Sequence, residues 1–332
     1  MSELLWGAVG DLSRFAALLT MAELGLADHL ADGPLEITEL AERSGSDAPA
    51  LRRVMRELAG MDMVRKAGPG TYELTEKGAP LRSDAPGHVR SSIRMLGEES
   101  FWYAMGSLPT TVREGSSAFV KRYGHLYDHL AADPAVSDLF DDYMTARALP
   151  FIEGLTERYA FPATATMVDV AGGKGHILAT VLRANPGMRG ILFDLEHVTG
   201  HARRTLEEEG LADRSEVVAG DFFTGVPSGA DIYLLASVLH NWDDDDAVSI
   251  LRNVRAAMKP DGRVLVLETV LPPEDEEAHL GNALDLRMLA IFNGGAERDR
   301  GEYAALFEQA GLALNEVMTL GAGASLIEAR PR

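Results

Sequence analysis

The run Asp169-Val170-Ala171-Gly172-Gly173-Lys174-Gly175-His176 closes the first short apolar strand of the C-terminal half and opens a helix. Glycines at such a turn let backbone approach a ligand, and the free N–H groups at the helix start attract polar or anionic groups. Asp194 ends the next apolar run, 25 residues further on, where a carboxylate accepts from both hydroxyls of a ribose. No Gly-Lys-Ser/Thr follows the turn, which disfavours a nucleoside triphosphate. Gly220-Asp221-Phe222-Phe223 ends the third strand, so Asp221 is placed to accept from an exocyclic amine and Phe222 to pack on a base. Together these residues predict a nucleoside-containing cofactor, either a dinucleotide or S-adenosylmethionine, held around Asp169, Ala171, Gly172, Gly173, Asp194, Gly220, Asp221 and Phe222.

A second group has acid–base character. The chain has no cysteine, so any nucleophile or base is another residue type. His240 follows the apolar run ADIYLLASVL, and open parallel sheets present catalytic groups at the carboxyl ends of their strands. Glu268 is a carboxylate inside the apolar run RVLVLETVL, where burial is costly without a partner. If the two strands are neighbours, Glu268 is expected to hold the other N–H of the His240 imidazole. The run Asp243-Asp244-Asp245-Asp246 precedes a helix and reads as an N-cap and first-turn charges rather than a metal site.

The elements that position these groups follow from hydrophobic patterning. From Thr166 onward, short strands without a polar face alternate with helices, the pattern of a parallel sheet covered on both sides. The last segments, ALNEVMTLG and ASLIEARP, add two strands expected to close the sheet as an antiparallel hairpin. Residues 12–30 carry apolar side chains at helical spacing and read as one helix with few faces left for water. Residues 37–82 read as helix, turn, helix and a hairpin around Gly68-Pro69-Gly70, the outline of a winged helix. The fold class expected is α/β, a Rossmann-like sheet preceded by a mainly α winged-helix domain. The boundaries expected are 1–90, a helical bridge over 91–155, and 156–332.

The ordered segments DVAGGKG, FDLEHV, GDFF, VLHNWDDDDAVSILRN, GRVLVLETVLP, LDLRMLAIFNGGAERD and EYAALFEQAGL resemble the plant caffeate-type O-methyltransferases that use S-adenosylmethionine, and closest their bacterial relatives in antibiotic biosynthesis. The resemblance spans nearly the whole chain and implies methyl transfer to a phenolic hydroxyl of an aromatic polyketide-type molecule, without a metal, in an N-terminally joined homodimer. It implies that His240 is the general base, with Glu268 and Glu297 as orienting carboxylates. It also implies Met144, Met288, Phe292, Asn293 and Trp102, with Tyr103, around the acceptor, and Arg147 near the cofactor carboxylate. The chain departs from the family at Ala171, a glycine elsewhere. A cofactor contact survives there if φ is negative. Asn241 stands where aspartate is usual, and Ala236-Ser237 stand where the plant enzymes have Lys-Trp. Ser237 is retained among the cofactor positions.

Composition limits the alternatives. The 332 residues suffice for two domains, and 46% hydrophobic and 25% charged residues fit a globular chain. A net charge of −20 repels phosphate backbones and anionic lipid. A winged-helix regulator needs a basic face, yet residues 1–85 hold nine Lys+Arg against fourteen Asp+Glu. A relative that binds the cofactor without methylating has little use for His240, and a dehydrogenase leaves the histidine and its carboxylates unexplained. No secretory signal or membrane-length apolar run is found, and a cysteine-free chain fits a reducing cytosol.

Overall fold

The computed structural model describes residues 2–272, 280–321 and 323–332. The chain divides into two compact units, one of residues up to Trp102 with Leu130–Ala146, the other of Tyr103–His129 with Arg147–Arg332.

The first unit opens with α1 (Ser2–Glu23) and α2 (Leu26–His29), followed by β1 (Leu35–Glu36), α3 (Ile37–Arg43) and α4 (Ala48–Gly60). Then come β2 (Val64–Gly68), β3 (Thr71–Leu74), α5 (Val89–Gly97) and α6 (Glu99–Gly106). The helix expected over 12–30 is broken, because Gly25 takes φ +60° and starts a new turn. α4 begins where Asp47 accepts from the Ala50 N–H and buries Leu51, Met55 and Leu58. These side chains join Met21, Leu26, Ile37, Leu40 and Tyr72 in one core. The hairpin β2–β3 is present as expected, and β1 adds a third strand beside β3. On α1 the side chains of Trp6, Val9 and Leu12 are exposed.

The second unit holds α7 (Leu108–Glu114) and α8 (Ala118–Tyr123); α9 (Leu126–Ala132) begins in it and ends in the first unit, and α10 (Pro134–Arg158) runs from the first unit into the second. Next come β4 (Thr166–Val170), α11 (His176–Ala184), β5 (Arg189–Asp194), α12 (Glu196–Glu208), β6 (Ser215–Ala219), β7 (Ile232–Ala236) and α13 (Asp244–Ala257). The remainder is β8 (Arg263–Glu268), β9 (Val270–Leu271), α14 (Leu280–Ile291), β10 (Arg298–Asp299), α15 (Arg300–Gln309), β11 (Leu312–Gly321) and β12 (Ala324–Pro331). The main sheet has seven strands in the order β11-β12-β8-β7-β4-β5-β6. Its β8, β7, β4, β5 and β6 are parallel, and β12 and β11 close it as the expected antiparallel hairpin. A separate core packs on each face, around Val170, Leu235 and Phe307 on one side and Met167, Leu234 and Leu182 on the other. The strands lack a polar face because helices cover both.

Two strands end earlier than the apolar runs suggest. β7 stops at Ala236, and His240 lies in a 3₁₀ turn, Leu239–Asn241. β8 stops at Glu268, and Val270–Leu271 leave the main sheet to pair with β10. That second pairing carries residues 297–299 to the site.

Ala171, the first residue beyond β4, has φ +56°, and Ser237, the first beyond β7, has φ +55°. The condition that φ be negative at Ala171 therefore fails. The turn requires a left-handed residue, and a β-carbon there is strained. Ala171→Gly is expected to raise stability by roughly 0.5–1 kcal/mol, the relieved strain exceeding the added entropy of the unfolded chain. Urea denaturation of the two proteins checks this, and a midpoint unchanged or lowered by glycine contradicts the strain.

Candidate active site

His240 is 2% exposed, and its Nδ1 lies 2.9 Å from Glu297 Oε1. Among the described residues nothing engages Nε2. Glu297 is buried as well, and its Oε2 has no partner among them. A hydrogen bond from Nδ1–H to the carboxylate selects the tautomer whose Nε2 carries the lone pair. This is the geometry of an imidazole prepared to accept a proton.

Glu268 does not touch the imidazole, contrary to expectation. Its Oε1 accepts from the backbone N–H groups of Val238, Leu239 and His240 at 2.9, 2.6 and 3.3 Å. Its Oε2 accepts from the Tyr303 hydroxyl. The physical reason is the left-handed turn at Ser237, which points three successive N–H groups at the end of β8. The first N–H groups of a helical turn have no partner within it, and a carboxylate satisfies them. Glu268 thus shapes the turn that carries His240, and Glu297 holds the ring. Burial and the Glu268 charge push the Tyr303 phenol far above its ordinary value, so it remains a donor.

Glu297 is brought in from far along the sequence. Its N–H donates to Asp285 on α14 at 2.9 Å, and the Ala296 N–H donates to the His240 carbonyl at 2.9 Å. A β-carbon on Gly295 would stand 2.9 Å from that same carbonyl, so this loop tolerates no side chain. Glu297 does not pair with the adjacent Arg298. Arg298, 2% exposed, donates instead to the carbonyls of Leu239 and Trp242 at 3.1 and 2.8 Å and pairs with Asp244. It clamps both sides of the His240 turn. Asp243 caps α13 as expected, accepting from the Asp246 N–H. No group of three or more metal-ligating side chains is found among the described residues.

The glycine-rich turn lies at the carboxyl ends of β4 and β5. Asp194 Oδ2 accepts from the Gly173 N–H at 2.8 Å and Oδ1 from the Leu195 N–H at 2.7 Å. Gly172 is required here, because a β-carbon would stand 2.7 Å from the Asp169 carboxyl. At Gly220 it would meet the Phe193 ring at 2.4 Å. Asp169 is 1% exposed with neither carboxyl oxygen partnered. Burial, with the Asp194 charge adding to it, pushes its carboxyl up to about 7. Asp221, exposed, accepts from the Phe223 N–H, and Phe222 meets Phe223 and Trp242 edge-on at 5.0 and 5.9 Å.

The remaining expected residues are distributed. Met288 is buried on α14, Phe292 is half-buried after it, and the Asn293 side-chain Oδ1 accepts from the Ser117 N–H at 2.8 Å. Arg147 is half-buried on α10, and Tyr103 lies under the Arg122 guanidinium at 4.3 Å. Met144 and Trp102 belong to the first unit, where Trp102 stacks on Phe15 at 5.5 Å. Sequence reasoning missed Tyr303, the clamping role of Arg298, and Tyr127, whose hydroxyl accepts from Asn241 Nδ2 at 2.9 Å. A tyrosine on the buried stripe of α15 and an acidic residue inside an apolar strand each need a polar partner, which was the available signal.

The chain belongs to the O-methyltransferase family: residues 105–313 match the O-methyltransferase domain and residues 8–81 its dimerisation domain. It is 39% identical to phenazine O-methyltransferase PhzM of Lysobacter antibioticus, over 95% of this chain and 92% of that one. The crystal structure of LaPhzM superposes with a TM-score of 0.94 at 37% identity, covering 100% and 99% of the two chains. That of NcsB1 from neocarzinostatin biosynthesis, in complex with S-adenosylmethionine and 2-hydroxy-5-methyl naphthoic acid, gives 0.85 at 35% identity over 98% of each. The protein is an S-adenosylmethionine-dependent O-methyltransferase. The site fits that cofactor: the unpartnered Asp169 carboxyl suits an ammonium, and the Asp194 carboxylate at the end of β5 is the group type that takes ribose hydroxyls.

The raised Asp169 value links stability to pH. Its folded value of about 7 exceeds the ordinary 3.8, so the protonated form favours folding. That contribution is fully present below about pH 3.8 and is lost as pH rises through about 7. Asp169→Asn is expected to stabilise the ligand-free protein at pH 8 by on the order of 1–3 kcal/mol, and by clearly less at pH 6. Urea titrations at both pH values check the difference, and equal gains contradict it.

Proposed function

We propose that this protein transfers the methyl group of S-adenosylmethionine to a phenolic hydroxyl of a small aromatic, polyketide-type molecule, with His240 as general base. The observation that carries the reading is the 2.9 Å contact between His240 Nδ1 and Glu297, which leaves Nε2 to face the acceptor. When bound, S-adenosylmethionine supplies an activated methyl group and its own thioether leaving group. Nε2 takes the phenolic proton, and the positive charge that forms on the ring is met by Glu297. A positioned base of this kind contributes about 10²–10⁴-fold. Glu268, through the three N–H groups it accepts, sets the height of the turn, and Arg298 holds its far side.

Asp169, Asp194, Asp221, Phe222 and the backbone of Gly172, Gly173, Gly220 and Ser237 are assigned to the cofactor, with Arg147 for its carboxylate; the left-handed Ala171 is not. Met288 and Phe292, close along the chain to Gly295 and Glu297, are assigned to the acceptor, with Met144, Trp102 and Asn293. A hydroxylated naphthoic acid in the structure of NcsB1 supports an acceptor of this class. Residues 1–90 are assigned to dimerisation, 91–155 to a bridge that helps form the acceptor pocket, and 156–332 to catalysis. The exposed Trp6, Val9 and Leu12 on α1 and the matched dimerisation domain support a homodimer. Among the described residues no helix is long and apolar enough to cross a membrane. We place the enzyme in the cytoplasm on its cysteine-free composition.

Incubation with methyl-labelled cofactor and a panel of phenols, hydroxynaphthoates and anthracycline-like polyketides tests the substrate class, and transfer to none of them contradicts it. His240→Gln is expected to lower kcat by at least ~10²-fold on an accepted phenol and to leave S-adenosylhomocysteine affinity nearly unchanged by calorimetry. An undiminished kcat at neutral pH removes the base assignment.

A further inference from the structure

Asn241 follows the proposed base directly and is 8% exposed. Its Nδ2 donates to the Ser237 carbonyl at 3.1 Å and to the Tyr127 hydroxyl at 2.9 Å. A backbone carbonyl only accepts, so the Ser237 contact fixes which end of the amide carries these two bonds. The Tyr127 oxygen is then an acceptor, and its own proton points elsewhere. Among the described residues no acceptor takes that proton. An aspartate at 241, as the family resemblance leads one to expect, only accepts and would draw the Tyr127 proton to itself. Asparagine reverses the bond.

The surroundings indicate where the proton goes. Tyr127 lies on α9 and is 39% exposed, while its hydroxyl meets Asn241 in the turn beyond β7 and feels the Asp194 charge at the end of β5. β4 and its glycine-rich turn lie between those two strands, so the hydroxyl is placed over the cofactor cleft. Burial and Asp194 push the phenol well up, which keeps it a donor. Asp194 acts on this hydroxyl directly, and Asp169 lies near the end of the intervening β4, so this end of the site is acidic. The ribose hydroxyls and the ammonium of the cofactor suit those two carboxylates, whereas its carboxylate, assigned to Arg147, is repelled by them and is served by a further donor.

We propose that Tyr127 is a cofactor-binding residue whose hydroxyl donates to the carboxylate of bound S-adenosylmethionine, and that asparagine rather than aspartate at 241 frees the proton for this bond. The assignment rests on the cleft of Asp169 and Asp194 being the cofactor site.

Calorimetry with two ligands tests it: S-adenosylhomocysteine, and 5′-methylthioadenosine, which keeps the nucleoside and thioether but lacks the amino-acid arm. Tyr127→Phe is expected to weaken S-adenosylhomocysteine by about 10-fold, as for a hydrogen bond to a charged group, and to leave 5′-methylthioadenosine unchanged. Asn241→Asp is expected to weaken S-adenosylhomocysteine similarly, with little further loss when Tyr127→Phe is added to it. Equal weakening of both ligands by Tyr127→Phe, which a merely structural tyrosine would give, overturns the proposal, as does no weakening of either. If the unsubstituted protein binds neither ligand, the cofactor site itself is misassigned, a different failure.

Discussion

A buried contact between an imidazole and a carboxylate governs this site. His240 and Glu297 are both shielded from water, and they meet through Nδ1 at 2.9 Å. A carboxylate in such a place is costly unless charge or hydrogen bonds compensate it, and here a single bond to the ring does so, with Oε2 left unpartnered. That makes the local environment hospitable to a positive imidazole, the species formed when a proton is accepted. The surrounding structure holds the two partners still. Glu268 gathers the N–H groups of one half of the turn, Arg298 takes the carbonyls on either side, and the 294–297 loop is fitted against the His240 carbonyl through Gly295.

Strain and acidity concentrate at the same edge of the sheet. β4 and β7 are neighbours, and each is followed by a non-glycine residue in the left-handed region. Such residues persist only where the surrounding structure over-determines them. Ser237 in that conformation turns the following N–H groups toward Glu268, and its carbonyl fixes the Asn241 amide. One backbone choice thereby orients the proposed base, its supporting carboxylate and the Tyr127 bond. Near the end of β4 itself, Asp169 leaves both carboxyl oxygens unsatisfied within the protein, which is ligand-binding capacity held in reserve at a cost in stability.

The parallel sheet, its terminal hairpin, the winged-helix outline and the Asp243 cap were legible, because each follows from local patterning: strands without a polar face, a Gly-Pro-Gly turn, an aspartate ahead of a helix. The strands preceding His240 and carrying Glu268 are neighbours, the condition on which the sequence reading of Glu268 depended. The contact between their side chains was misjudged, since nothing in the sequence announces that Ser237 is left-handed and that backbone N–H groups therefore reach Glu268 first. The position of Glu297 depends on β9 leaving the main sheet to pair with β10, a long-range choice that two residues on each strand do not encode. Tyr127 lies on a short helix without apolar periodicity strong enough to place it, so its meeting with Asn241 could be seen only in three dimensions.

The tautomer of His240 tests the account most directly. In ¹⁵N–¹H spectra of histidine-labelled protein with S-adenosylhomocysteine, the signals of this residue can be assigned among the nine histidines by their absence from His240→Gln. The structure predicts that the neutral ring carries its proton on Nδ1, toward Glu297, with Nε2 bare. A ring protonated on Nε2 and bare on Nδ1 would contradict it.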